Sequence, residues 1–196
     1  MIKTFLKKIL SNRLRKRLAL NEPQMIYGYK IPGQDFHSTR VSNSTVIVNK
    51  ENLKLGNHVF IGHYNFIESS NGITIKDGTQ ITNYISILSH SSHISIRLYG
   101  ENYQKHDDLV GYKKGKVEIG EYTFIGPHST ILPNSKVGKG SLIKPYTLVK
   151  GVYPPFSIIE GNPGIVVGST KDIDKKYLES NPELKVFYNQ WAEEKK

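Results

Sequence analysis

The sequence predicts an all-β solenoid, in which short strands and tight turns wind into stacked triangular coils, with one inserted loop and short helices at both termini. Two observations carry this expectation. From residue 119 an aliphatic side chain recurs at every sixth position: Ile119, Ile125, Ile131, Val137, Ile143 and Val149. Two positions before each later member stands a small hydroxyl residue (Thr123, Ser129, Ser135, Ser141, Thr147), and glycine follows the aliphatic at Gly120, Gly126 and Gly138. A period of six fits neither a helix nor one long strand; it fits a short strand and a turn, three to a coil. The aliphatic residue and the hydroxyl residue two before it point the same way, because strand side chains alternate. Aliphatics then stack in the core while Ser and Thr fill the space beside the corners.

The lattice also runs earlier in the chain. Val41 and Ile47 begin it, Leu55, Ile61 and Ile67 follow, then Ile75, Ile81 and Ile87. Every gap is six except 47 to 55 and 67 to 75, which are eight, so an extra pair of residues bulges at a corner without changing which side chains face inward. After Ile87 the next clear member is Ile119. The stretch ISIRLYGENYQKHDDLVGYKKGK (94–116) between them has tyrosines, charges and glycines but no six-residue order. A long excursion from a compact solenoid is more often functional than decorative.

The expected organisation is a basic amphipathic segment at 1–22, the β-helix domain at 41–168 and a helical segment at 169–196. In the first, Ile2, Phe5, Leu6, Ile9, Leu14 and Leu18 fall roughly on one helical face. Lys3, Lys7, Lys8, Arg13, Arg15, Lys16 and Arg17 contribute +7 of the net +10, with no acid before Glu22. Such a segment either caps the solenoid, which repeat folds require, or lies on an anionic membrane surface; the cap is the favoured reading. The basicity is local and no nucleic-acid motif accompanies it, so nucleic acid is not an expected partner. At the other end Ser169 or Thr170 caps a helix starting near Lys171, and Asn181-Pro182 opens another, with Tyr177, Leu178, Val186, Phe187 and Trp191 as apolar contacts. The absence of cysteine rules out disulfides, thiolate zinc ligands and a thiol nucleophile. No apolar run approaches the ~20 residues of a membrane-spanning helix, and the N-terminal stretch has no uninterrupted apolar core of a secretory signal.

The lattice from Val41 to Gly168 resembles the hexapeptide-repeat, left-handed parallel β-helix family. Its tail, with Tyr153-Pro154-Pro155 and Gly161-Asn162-Pro163-Gly164, is similar to the closing coils of acetyl-CoA-dependent sugar and xenobiotic acetyltransferases. Gly164 stands where the family usually has alanine, and Ile165 where a basic residue is common. The resemblance implies O-acetylation of a saccharide hydroxyl in surface-glycan synthesis, with acetyl-CoA as co-substrate and no metal. It also implies a homotrimer with the coenzyme between adjacent solenoids, and an acceptor that is lipid-linked or nucleotide-activated. The expected location is cytoplasmic, with peripheral contact at the inner membrane face as the alternative to the cap role of residues 1–20. By alignment the coenzyme runs past Gly126, Pro127, Lys144 and Pro145 toward Lys150 and the Asn162-Pro163 turn; Lys150 and Lys171 are candidates for its phosphates.

A sugar hydroxyl is a poor nucleophile toward a thioester, so a base must take its proton during attack, and histidine titrates near neutrality. A backbone N–H or polar side chain can then stabilise the thioester oxygen. Of the seven histidines, His58, His63 and His128 sit at coil corners, His37 precedes the lattice and His106 lies inside the loop. His90 and His93 directly precede the excursion. His93 is favoured as the base, with His90 orienting it or contacting the acceptor. Asn83, Arg97, Tyr99 and Tyr103 are candidate acceptor contacts, and Asp107 and Asp108 could orient a histidine. The alternatives are N-acetylation of an amino sugar, xenobiotic acetylation, a zinc carbonic-anhydrase version of the solenoid and an inactive trimeric scaffold.

Overall fold

The computed structural model describes residues 10–11, 22–28, 30–31, 34–35 and 38–193. Leu10 and Ser11 are helical, and the rest of the expected amphipathic helix, like His37, lies outside the described residues. Three parallel sheets form the faces of a triangular prism. Each follows one column of the six-residue lattice, because consecutive strands of the chain enter successive faces. In sheet 1, Val41, Ile61, Ile81, Ile125, Ile143 and Ile159 pair in register. Sheet 2 aligns Ile47, Ile67, Ile87, Ile131 and Val149. Sheet 3 aligns Leu55, Ile75, Ile119, Val137 and Tyr153. All these side chains are buried and together they form the core. The architecture is the expected left-handed β-helix with short C-terminal helices.

The hydroxyl residues do more than fill space. Ser129 donates to the Lys144 carbonyl at 3.0 Å, Ser141 to Gly138 at 2.7 Å and Thr147 to Lys144 at 2.7 Å. Each side chain is buried, and together they satisfy the corner carbonyls of Gly138 and Lys144 and their own hydroxyls. At the first corner, between sheets 1 and 2, Tyr64, Tyr84, His128 and Tyr146 take left-handed backbone conformations with φ of 58°, 60°, 61° and 60°. A non-glycine residue there costs roughly 1–2 kcal/mol. The four rings stack in a continuous column with centroids 5.2, 5.0 and 4.9 Å apart, which offsets part of that cost.

Sheet 1 ends in an antiparallel strand on both sides. Met25–Tyr27 pairs with Arg40–Ser42, and Ile165–Ser169 folds back on Ser157–Glu160. Helix α2 (Thr170–Ser180) is capped by Ser169, whose hydroxyl accepts from the Lys171 N–H at 3.2 Å. A 3₁₀ turn at Pro182–Leu184 leads into helix α3 (Lys185–Ala192). Trp191 docks α3 on the third corner, its ring 4.5 Å from Tyr122 and 5.8 Å from Phe156. Lys139 donates to the Trp191 and Glu193 carbonyls at 2.9 and 3.3 Å, closing the helix end. Tyr177 on α2 and Val186 and Phe187 on α3 remain exposed rather than packed, and Trp191 is the large ring that seats α3.

Candidate active site

The second corner, between sheets 2 and 3, is where the lattice breaks. The chain leaves it at Ser89 and re-enters at Gly115, whose N–H donates to the Ser89 carbonyl at 2.9 Å. His90 and Ser91 pair antiparallel with Lys114 and Lys113, so the returning strand lies beside the histidine. Between them, helix α1 spans Ser95–Tyr99 and a 3₁₀ segment spans Gly100–Lys105. The excursion therefore has secondary structure of its own that the six-residue period could not show. Tyr99 fastens its far side: its hydroxyl accepts the Val110 N–H at 3.0 Å, and its ring lies 4.9 Å from that of His106.

One coil away, Glu68 pairs in register with Val48 on one side and Leu88 on the other. It is a carboxylate in an aliphatic row. Its side chain is 7% exposed, and its Oε2 lies 2.6 Å from Nδ1 of His90, itself 31% exposed. Burial alone would raise the Glu68 pKa. Hydrogen bonds from the Ser70 hydroxyl, the Ser89 hydroxyl (2.8 Å), the Ser70 N–H (3.0 Å) and His90 outweigh it and hold the carboxyl below its ordinary value. An ionised Glu68 only accepts, so His90 Nδ1 donates to it, and in the neutral imidazole Nε2 keeps its lone pair. The ring of Tyr112 stacks on His90 at 5.4 Å and 15°.

His93 has a different setting. It is exposed, and its Nδ1 meets only the Ser91 hydroxyl, at 2.8 Å. Arg97 turns back on α1 and donates to the His93 carbonyl, and Tyr99 is occupied as the loop fastener. Asn83 belongs to the first corner, where its Oδ1 accepts the His63 N–H at 2.7 Å. Of the expected acceptor contacts, Tyr103 alone lines the cavity beside the His90–Tyr112 pair, together with Asp107 and Asp108. Glu68 and Tyr112 were missed by sequence reasoning. The signal for Glu68 was available: with the coils stacked by the lattice, it is the acidic member of a row that reads Val48, Glu68, Leu88, Leu132 and Lys150.

The expected coenzyme residues form two groups. Gly126-Pro127 and Lys144-Pro145 occupy the first corner in successive coils. A Cβ on Gly126 would meet the Pro145 nitrogen at 2.6 Å, so glycine is required there for close stacking. Lys144 is paired with Glu160 at 2.7 Å. Lys150 and the Asn162-Pro163 turn are joined by Tyr153, whose hydroxyl accepts the Lys150 N–H at 3.2 Å and donates to the Gly164 carbonyl at 2.9 Å. Lys171 lies apart, its ammonium 4.5 Å above the Phe156 ring at the third corner. Among the described residues no three histidine, aspartate or glutamate side chains converge as a metal site, and no helix is long and apolar enough to cross a membrane.

Residues 116–151 match the family described as bacterial transferase hexapeptide (six repeats). YvoF of Bacillus subtilis, provisionally named an acetyltransferase, is 31% identical over 42% of this chain and 48% of its own length. The chain spans about half the length of the curated relatives it matches. Among solved structures, a maltose O-acetyltransferase from Clostridium difficile superimposes with a TM-score of 0.56 at 20% identity, over 65% of this chain and 64% of its own. A galactoside acetyltransferase in complex with coenzyme A gives 0.54 at 21%, over 84% of each chain. AntD, an N-acyltransferase from Bacillus cereus, gives 0.52 at 19%, over 74% and 89%. These structural likenesses are likenesses of fold. With the repeat and the curated relatives beside them, the chain carries the hexapeptide repeat over residues 116–151 and is similar to hexapeptide-repeat acetyltransferases.

Proposed function

We propose that the protein transfers an acetyl group from acetyl-CoA to a saccharide hydroxyl, with His90 as the general base. The observation that carries this reading is the 2.6 Å contact between His90 Nδ1 and the buried Glu68 carboxylate, which leaves Nε2 as the acceptor of a proton. As the acceptor oxygen forms its bond to the thioester carbonyl carbon, Nε2 takes the hydroxyl proton. The tetrahedral oxyanion then collapses, the carbon–sulfur bond breaks, and the imidazolium returns its proton to the departing thiolate. Glu68 stabilises the imidazolium between these steps. His93, exposed and without a carboxylate, is assigned to the acceptor side rather than to proton transfer.

Acetyl-CoA is proposed to lie along sheet 2, between the first-corner residues Gly126, Pro127, Lys144 and Pro145 and the group formed by Lys150, Asn162 and Pro163. A homotrimer is proposed to complete that groove. The prism supports this by its asymmetry. Val46, Phe66 and Phe124 are exposed on sheets 1 and 2, whereas sheet 3 presents Lys76, Glu118 and Lys136 in ion pairs at 3.2 and 3.6 Å, with Val152 exposed at its end. Apolar faces of this kind favour contact with a further copy.

The test is coenzyme-A release across a panel of free, nucleotide-activated and lipid-linked sugars, including amino sugars, with His90→Ala and His93→Ala in parallel. His90→Ala should lose about 10²-fold or more in kcat, the usual contribution of a positioned base, and His93→Ala far less. Full turnover in His90→Ala would overturn the assignment. Sedimentation of the wild type and Phe124→Lys checks the trimer.

A further inference from the structure

The ring of Tyr112 is common to two features: it stacks on His90, and it lines a cavity of about 570 Å³ together with Tyr103, Asp107, Asp108 and Lys114. That volume lies within the range of small-molecule sites and exceeds what one hexose ring fills. We propose that this cavity is the acceptor subsite, that Tyr112 seats the acceptor's sugar ring beside His90, and that Asp107 and Asp108 restrict the ring to neutral and cationic sugars. The inference rests on the acetyltransferase reading above and adds the substrate class to it.

The chemistry of the lining supports each part. Tyrosine offers a sugar ring an apolar surface for its C–H groups and a polar tip for its hydroxyls. Burial, followed by the charges of Tyr103 and Glu68, pushes the Tyr112 hydroxyl above its ordinary pKa, so it remains a donor through neutral pH. Carboxylates accept hydrogen bonds from neighbouring sugar hydroxyls and attract an ammonium substituent. Toward a carboxylate on the same ring, two adjacent anions against the single cation of Lys114 are repulsive, and the Glu68 carboxylate behind His90 has the same sign. The walls come from the excursion, which returns to its own histidine through the pairing of Lys114 with His90. A ring held there is thereby placed within the same corner as the base.

The experiment titrates the full chain with glucose, glucosamine and glucuronate, three rings of one shape that differ in charge. Binding is followed by saturation-transfer NMR at low salt. Glucose and glucosamine should bind, with glucuronate weaker by about tenfold, a repulsion that salt should reduce. The Asp107→Asn/Asp108→Asn variant should keep glucose binding and bring glucuronate within about twofold of it. Tyr112→Ala should weaken all three by about tenfold, as loss of a stacking surface predicts, while Tyr112→Phe retains ring binding. Unchanged circular dichroism and Tm identify variants that remain folded. Equal binding of glucuronate by the wild type, discrimination that survives in the double asparagine variant, or no binding of any ring would overturn the proposal. Acetyl-CoA turnover separates the two readings. Turnover on acceptors regardless of charge sinks the subsite alone, whereas charge-selective ring binding without turnover on any acceptor sinks the acetyltransferase reading alone.

Discussion

The C-terminal coils and the second corner at Ser89–Gly115 are made from the same short strands, yet they use buried polar groups in opposite ways. In the coils, Ser129, Ser141 and Thr147 each donate to a corner carbonyl, and no acidic or basic side chain of the described residues is buried with them. At the second corner the buried group is a carboxylate, and its hydrogen bonds hold both a charge and an imidazole. The scaffold is stable because its corners are interchangeable. The candidate site lies where one corner is not.

The comparison breaks most visibly if the scaffold side is cut. Ile87→Ala empties a fully buried lattice position and should cost about 2–5 kcal/mol in urea unfolding. Leu98→Ala, on the exposed face of α1 in the excursion, should stay within about 0.5 kcal/mol. Comparable losses would mean that the excursion is part of the core.

On the site side, Glu68→Gln keeps the shape of the side chain and removes its charge. It should lower kcat by about tenfold or more with KM for the acceptor little changed, because the carboxylate acts through His90. A change confined to KM would make Glu68 a packing residue.

Two glycines offer a smaller contrast. A Cβ at Gly126 meets backbone of the next coil at 2.6–2.9 Å, so Gly126→Ala should destabilise by about 1–3 kcal/mol. A Cβ at Gly100 has nothing within 4 Å, so Gly100→Ala should cost only backbone strain, about 1–3 kcal/mol at φ +52° and ψ −132°. Thermal unfolding measures both, and a loss within about 0.5 kcal/mol in Gly126→Ala would show that coil spacing is adjustable.

The smallest effect is one of pH. The folded-state pKa of Glu68 lies below its unfolded value, so ionised Glu68 stabilises the fold above the ordinary carboxylate range. That contribution fades as pH falls through the lowered pKa. Wild-type urea midpoints should therefore drop more than those of Glu68→Gln as acid is added below about pH 4. Parallel curves would remove the carboxylate's charge from the account.

The fold was legible because the lattice is a property of single positions. Ile61, Ile81 and Ile125 declare their face by type and spacing, and the two eight-residue gaps fall at corners as expected. The site was less legible because it is a relation between coils. His90 and Glu68 are 22 residues apart, and their contact exists only after the coils are stacked. Proximity along the chain drew attention to His93, which shares the serine-rich segment but lies beyond reach of a buried carboxylate. Asn83, Arg97 and Tyr99 were conspicuous by chemistry, yet each is spent on backbone nearby.

The bond from the Gly115 N–H to the Ser89 carbonyl has a consequence for how such a protein diversifies. The chain departs from the prism and rejoins it at points one hydrogen bond apart, so the segment between them is a cassette with a fixed socket. Lengthening a closed loop is inexpensive, about 0.6 kcal/mol for each doubling. The part of the cassette beyond His90 and Ser91 can be exchanged for one of different length and lining while the coils, and the glutamate–histidine pair at the socket's rim, stay as they are.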